Sequence, residues 1–298
     1  MFSIIIPALN SAETISYCLS SIFSGNSSDE SFEVLIVDGG SKDKTLEIAR
    51  KYPVKVLMCK EKGIGPARNL GLREAKGEIV CYTDSDCVVE KMWLSKIAIF
   101  LRENPEVDGV GGLVLSYNEG ATKLQELSGK VFVGSQSFPK HETKTKVGSF
   151  YGVLMDANCA YRKRVLLEAG GFPEPIGLGH ELSWKLTGDG KVLVFNPDMK
   201  VFHIFPNTLR GLFRQQFRWG MYMSVLEKKY GLTLRGLSYL PFSAARSILS
   251  LFDLQRESLR ILSFCQTLYW WIGRLYALQF QDFHQIPQQA IDRGFIPF

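Results

Sequence analysis

Residues 78–87 read Glu-Ile-Val-Cys-Tyr-Thr-Asp-Ser-Asp-Cys, an apolar, β-branched run that stops abruptly in two carboxylates one residue apart. Such a run reads as a buried strand delivering Asp84 and Asp86 to its carboxyl end, where open α/β sheets bind ligands. Two acids at i and i+2 repel each other in a low-dielectric site unless something positive sits between them. The pair therefore points to a divalent cation, Mg or Mn. On spacing alone it also fits a solvated turn in which one Asp caps the next helix.

The chain before this stretch repeats strand, then helix. Phe2 to Ile6 reads as a strand whose ladder ends at Pro7. Asn10 and Glu13 have capping-box spacing, and Ile15, Cys18, Leu19, Ile22 and Phe23 recur on one helical face. Glu33 to Val37 is a second strand, ending in Asp38-Gly39-Gly40-Ser41, with Ser41 placed to cap a helix through Lys51. Val54 to Met58 is a third. Gly63-Ile64-Gly65-Pro66 then opens a helix with Arg68 and Asn69 close behind, where free N–H groups and a cation make an anion site. Short strands alternating with helices imply right-handed crossovers and a mostly parallel α/β sheet.

The 298 residues suffice for one large domain with an appendage. Six cysteines are scattered without a C-x-x-C pair, as in a reduced cytosolic chain, and the N-terminus opens into Ile4-Ile5-Ile6 with no basic leader. The expectation is cytoplasmic chemistry. Charge is uneven: residues 200–298 hold twelve Lys/Arg against five Asp/Glu, so the net charge of +5 belongs to the tail. A basic, aromatic-rich tail suits anionic lipid or a phosphorylated substrate. With no zinc spacing, aromatic RNA-binding motif or Lys/Arg block, nucleic acid is not expected as a partner.

Ser3-Ile-Ile-Ile-Pro-Ala-Leu-Asn10, Val37-Asp-Gly-Gly-Ser41, Gly65-Pro-Ala-Arg-Asn69 and Thr83-Asp-Ser-Asp86 are followed by Asp156-Ala-Asn-Cys-Ala-Tyr-Arg162 and Gly170-Gly-Phe172. Gly179-His-Glu-Leu182 and Gln215-Gln-Phe-Arg-Trp219 complete the series. In order and spacing these eight motifs resemble the family 2 glycosyltransferases, over about residues 2–220. The resemblance implies a GT-A fold in residues 1–220, with a nucleotide-binding half to about 115 and an acceptor half from 116. Residues 221–298 would form a helical, membrane-associated extension. It further implies that Pro7, Ala8, Asn10 and Asp38 hold the base and ribose of a nucleotide-sugar donor, and that Arg68 lies beside the nucleotide. Asp86 would be the direct metal ligand and Asp84, followed by Ser85, the partner nearer the ribose. His203 matches the histidine that completes the metal shell in some relatives; a lone His among apolar residues also fits a core role.

An inverting transfer needs a base for the acceptor hydroxyl, and the resemblance assigns it to Glu181. Relatives carry two acids at this place, whereas this chain has His180-Glu181. Asp156 is the competing acid on the acceptor side. Gln215, Arg218 and Trp219 match the Q-x-x-R-W element of processive and lipid-directed members, where Trp packs on the acceptor sugar and the polar groups meet the diphosphate. Residues 116–150, without clean periodicity, read as the acceptor-determining insertion.

Beyond Tyr230, residues 232–252 and 261–280 are apolar and aromatic. The longest uncharged run, Ile261 to Gly273, is 13 residues, short of the roughly 20 that cross a bilayer. Tyr269, Trp270, Trp271 and Tyr276 suit helices lying in the cytoplasmic leaflet; a packed helical cap is the other reading. The whole then describes an inverting, metal-dependent enzyme moving a sugar from a UDP-sugar to a glycan or a lipid-linked, polyprenyl-phosphate type acceptor, at the cytoplasmic face of the membrane. A dinucleotide oxidoreductase is disfavoured, because Pro7 to Ser11 contains no glycine. A sugar-phosphate nucleotidyltransferase would show a Gly-rich basic loop there. An inactive nucleotide-sugar-binding scaffold stays open because of His180.

Overall fold

The computed structural model describes residues 1–25, 30–135, 138–147, 152–174, 179–231 and 257–279. The chain divides into two compact units, one made of residues 1–117 and 136–204, the other of 118–135 and 205–298.

The first unit is built on one sheet. Strands β1 (Phe2–Ala8), β2 (Phe32–Asp38), β3 (Lys55–Met58) and β4 (Ile79–Tyr82) pair in parallel in the order β3-β2-β1-β4. Between them run helices α1 (Ile15–Gly25), α2 (Thr45–Ala49) and α3 (Ile64–Glu74). This half is the alternating parallel array that the sequence predicts. The second half is mixed. It comprises β5 (Cys87–Val89), β6 (Gly109–Ser116), β7 (Thr143–Lys144), β8 (Cys159–Arg162) and β9 (Leu193–His203), with α4 (Trp93–Glu103), α6 (Lys163–Glu168) and α7 (Gly179–Gly188) between strands. Strand β8 runs antiparallel between β4 and β6, β9 lies parallel to β6, and β5 and β7 pair antiparallel with β9.

Every residue of β1 is buried, as expected of a central strand covered on both faces. Pro7 does not end it: β1 continues to Ala8 opposite Asp38. The ladder to β4 stops at Ile5, so the missing amide of Pro7 falls where one neighbour has already left. Two expected caps are also corrected. Asn10 Oδ1 accepts from the Lys42 amide, and α2 starts only at Thr45, whose amide donates to Asp43 Oδ1 at 3.0 Å. Asn10 and Ser41 instead tie two loops together, because a short polar side chain bonds whichever free amide lies nearest.

Beneath the carboxyl ends of the strands, Tyr82 packs edge-on against Phe172 at 4.8 Å and Tyr161 at 6.5 Å. They belong to a core shared with Ile5, Val37, Leu182 and Phe195. This apolar floor carries the polar edge described below.

The second unit contains α5 (Lys123–Ser135), α8 (Leu209–Lys229) and α9 (Glu257–Leu278). Helix α5 lies within the stretch expected to be an aperiodic insertion. Thr208 caps α8, its hydroxyl accepting from the Gly211 amide at 3.1 Å. The helix runs unbroken through residue 220. Its Phe217 and Met221 bury against Ala277 of α9, with Tyr276 and Ile272 alongside. A Cβ on Gly220 would run into the Trp270 carbonyl, and one on Gly273 into the Phe217 carbonyl, so the two backbones touch where both side chains are missing. Arg274 forms a two-pronged ion pair with Glu227 and lies over the rings of Trp270 (4.7 Å) and Trp271 (4.9 Å). Of the aromatic residues expected at a membrane surface, Trp271 is buried, Tyr269, Trp270 and Tyr276 are half-buried, Tyr269 stacks on Phe213 at 4.4 Å and Tyr276 meets Phe217. Among the described residues no helix is long and apolar enough to cross a membrane. The expected helix at 232–252 lies outside the described residues.

Candidate active site

Because β1, β2 and β4 run parallel, their carboxyl ends open on one edge of the sheet. That edge gathers Pro7, Ala8, Asn10, Asp38, Asp84, Ser85 and Asp86. Asn10 takes a left-handed conformation (φ 51°), which Asn tolerates better than most residues. Its amide donates to Ser41 Oγ at 2.9 Å. The Ser11 and Ala12 amides donate to Thr45 Oγ1 (2.7 Å) and Asp43 Oδ2 (3.0 Å). The Ser11 and Ser85 hydroxyls meet at 2.8 Å, fastening the loop after β1 to the acid pair. Buried Asp38 accepts from the Gly40 and Ser41 amides, both at 2.9 Å, and from the Ser41 hydroxyl at 2.5 Å. Its carboxylate thus shapes its own loop.

Arg68 is the centre of the charge arrangement. Its guanidinium donates to Asp84 Oδ1 at 3.1 Å and to Asp156 Oδ2 at 2.5 Å, and it lies 5.2 Å over the Phe172 ring. Burial works against its charge, but the two carboxylates outweigh burial and raise its pKa. The neighbouring Asn69 donates to the Phe172 carbonyl (3.0 Å) and to Glu174 (2.8 Å), and accepts from the Phe172 amide. The Gly170-Gly171-Phe172 motif is therefore anchored by the Arg68-Asn69 motif. Neither sequence pattern alone indicates the pairing, since the partners are 103 residues apart.

Asp86 stands in the turn before β5. Burial raises its pKa, His203 lowers it and Asp84 raises it again. His203 Nε2 lies 3.5 Å from Asp86 Oδ2. Two carboxylates and an imidazole that burial and mutual repulsion leave short of positive charge are a fitting donor set for a divalent ion. Asp84, Asp86 and His203 are the residues that would hold it.

Helix α7 begins at Gly179, where a Cβ would overlap Asp156 Oδ1 and crowd the Leu154 carbonyl. Only glycine lets the helix start against the acid. Two residues on, Glu181 is 5% exposed, in the first turn, where the helix dipole favours a carboxylate's charge. Asp156 is raised by burial and pulled back by Arg68. His180 is pushed down to about 4 by burial, so it is neutral at physiological pH.

Gln215, Arg218 and Trp219 lie on α8 in the second unit. Gln215 is buried, and Trp219 packs against Phe132 of α5 at 5.8 Å. Arg218 ends a row with Arg210 and Arg214, at i, i+4 and i+8 of one helix. Burial, then Arg210 and Arg218, lower the pKa of Arg214. Sequence reasoning singled out Arg218 alone, although the four-residue spacing was legible; like charges at that spacing weaken a helix unless an anion answers them.

The fold is of the GT-A class. The sequence profile of glycosyl transferase family 2 matches residues 3–170. Glycosyltransferase AglE of Haloferax volcanii is 31% identical over 228 residues, 73% of this chain and 71% of AglE. Among solved structures, the mannosyltransferase PcManGT of Pyrobaculum calidifontis, in complex with GDP-Man and Mn2+, aligns with TM-score 0.63 at 18% identity, covering 92% of this chain and 87% of that one. Staphylococcus aureus TarS 1–349 with UDP-GlcNAc aligns with TM-score 0.58 at 21% identity, over 88% and 79%. The chain belongs to glycosyl transferase family 2, and it is a glycosyltransferase.

Proposed function

We propose that the enzyme is an inverting, metal-dependent transferase that moves a sugar from a UDP-sugar to a glycan or lipid-linked acceptor hydroxyl, with Glu181 as base. The observation that carries this reading is the approach of His203 to 3.5 Å from Asp86 at the sheet edge, with Asp84 two residues before Asp86 in the same turn. The UDP-GlcNAc bound to TarS and the GDP-Man and Mn2+ bound to PcManGT support a nucleoside-diphosphate donor and a divalent ion. When bound, that ion supplies Lewis-acid stabilisation of the departing diphosphate.

The protein's own groups do the rest. The loop fixed by Asn10, Ser11 and Asp38 positions the nucleotide. Arg68 holds Asp84 in one orientation. Asp156 is engaged by the same guanidinium; Glu181, in the first turn of α7, is the acid assigned to take the proton as the acceptor oxygen attacks the anomeric carbon opposite the leaving group. Neutral His180 adds no second negative charge beside it.

The row Arg210, Arg214, Arg218 supports an acceptor that carries phosphate, as a polyprenyl-phosphate type lipid does. Together with exposed Leu268 and Leu275, seven residues apart on α9, it also supports peripheral association with the cytoplasmic face of a membrane.

Calorimetry with UDP, with and without Mn2+, tests the reading. Mn2+ should strengthen UDP binding to wild type, and Asp86→Ala should lose that gain while melting normally, because a strand-end acid fills no core volume. Equal UDP affinity for both proteins in Mn2+ would refute the metal assignment.

A further inference from the structure

Beside the acid pair lies a thiol that the transfer reaction leaves unused. Cys87 opens β5 directly opposite His203 of β9, and directly opposed residues of antiparallel strands send their side chains to the same face. Asp86, in the turn just before, brings its carboxylate to both. Cys87 Sγ is 3.8 Å from Asp86 Oδ1, and His203 Nε2 is 3.5 Å from Asp86 Oδ2. One donor atom from each of the three residues lies within 4.8 Å of the others.

These separations have a metal-sized scale. Zinc binds thiolate at about 2.3 Å and imidazole or carboxylate at about 2.0–2.2 Å, so two ligand atoms of a tetrahedral site stand roughly 3.4–3.6 Å apart. The thiol and the imidazole each stand at about that spacing, within roughly 0.2 Å, from a different oxygen of the Asp86 carboxylate, Oδ1 and Oδ2. Asp84 is less available to such a set, because its Oδ1 is held by Arg68. A sulfur ligand also changes which ion is preferred: carboxylates suit Mg or Mn, whereas thiolate beside imidazole selects thiophilic metals.

Building on the metal-dependent reading above, we propose that Asp86, Cys87 and His203 form a thiophilic metal site, which takes Zn2+, Co2+ or Cd2+ through carboxylate, thiolate and imidazole in competition with the hard ion. Binding exchanges the thiol proton for the metal, and the proton leaves to solvent. Zn2+ would then displace Mn2+ and occupy Asp86 and His203.

Titration of the full chain with Co2+ alone, followed by absorbance, tests this without any assay of turnover. Wild type should develop a near-ultraviolet thiolate-to-cobalt charge-transfer band. Cys87→Ser should lose the band yet still bind Mn2+ by calorimetry, and His203→Gln should weaken it. Replacing the two partly exposed cysteines, Cys59 and Cys265, by Ser should leave it intact, which keeps the result readable if Cys87→Ser does not fold. Mn2+ binding by wild type without a thiolate band on adding Co2+ would overturn the role of Cys87 alone. A band lost on replacing Cys59 and Cys265 would do the same. Failure of wild type to bind either ion would refute the metal-dependent reading along with it.

Discussion

Arg68 in the first unit and Arg274 in the second are both almost wholly buried, with side chains 1% and 3% exposed. Among the described residues Arg274 faces one carboxylate, Glu227, and two indole rings, so the charges described there balance. Arg68 faces Asp84 and Asp156, with Asp86 two residues further along, so its surroundings keep negative charge in excess. A buried neutral pair holds helices in one arrangement. An excess of partly exposed acid at a sheet edge favours a cation or a ligand that answers it. The same residue type thus marks a structural joint in one unit and a site prepared for binding in the other.

The contrast implies that substitutions at the acid-rich edge cost function and those at the α8–α9 joint cost stability. Glu181→Gln should give the largest effect. It keeps shape while removing the proton acceptor, so transfer should fall by on the order of 10² to 10⁴ with donor affinity and melting near wild type. Asp156→Asn is the control. Normal turnover in Glu181→Gln with none in Asp156→Asn would move the base to Asp156.

Arg68→Met strands two acids at once and should destabilise the fold by about 3–5 kcal/mol, measured by denaturant unfolding. Adding Asp156→Asn should recover part of the loss by removing one uncompensated charge. No recovery would mean that Arg68 acts by packing on Phe172 rather than by charge.

Glu227→Gln should likewise cost about 3 kcal/mol, because it leaves Arg274 buried without its counter-charge. Exchanging both partners, Glu227→Leu with Arg274→Met, should come within about 1 kcal/mol of wild type, with transfer activity intact. A double variant that stays folded but loses activity would break the comparison, since it would give the joint a part in function.

The last effect is confined to acid pH. His180 is lowered from 6.5 to about 4 in the fold, so the unfolded chain binds its proton first. The stability this group contributes is complete above pH 6.5 and is lost as pH falls toward 4. The slope is at most about 1.4 kcal/mol per pH unit. His180→Gln should flatten the acid limb of a melting-temperature profile between these values. An unchanged limb would show that His180 is solvated rather than buried.

Much of the edge was legible because it is made by short motifs in register with strands. Val37-Asp38 and Tyr82-Thr83-Asp84 each place an acid at or just past a strand end, and the hydrophobic period that makes the strand also fixes where it stops. The caps assigned to Asn10 and Ser41 were misread because a cap is a local pattern, whereas the two side chains bond backbone amides of the other loop, 32 and 31 residues away. The aromatic cluster at 269–276 is legible only as composition. Its composition equally describes a membrane surface and a helix joint, and the close approach at Gly220 and Gly273 is a property of two helices together.

The sequence by itself determined the strand-helix alternation, the family and the identity of the acids, since each follows from residue type and spacing within one stretch. Only the tertiary structure decided that one guanidinium joins Asp84 to Asp156, that Cys87 faces His203, and that Arg274 is answered by Glu227. These pairs are separated by 72, 116 and 47 positions, and charge compensation at such separations depends on which chain segments the core brings within about 4 Å.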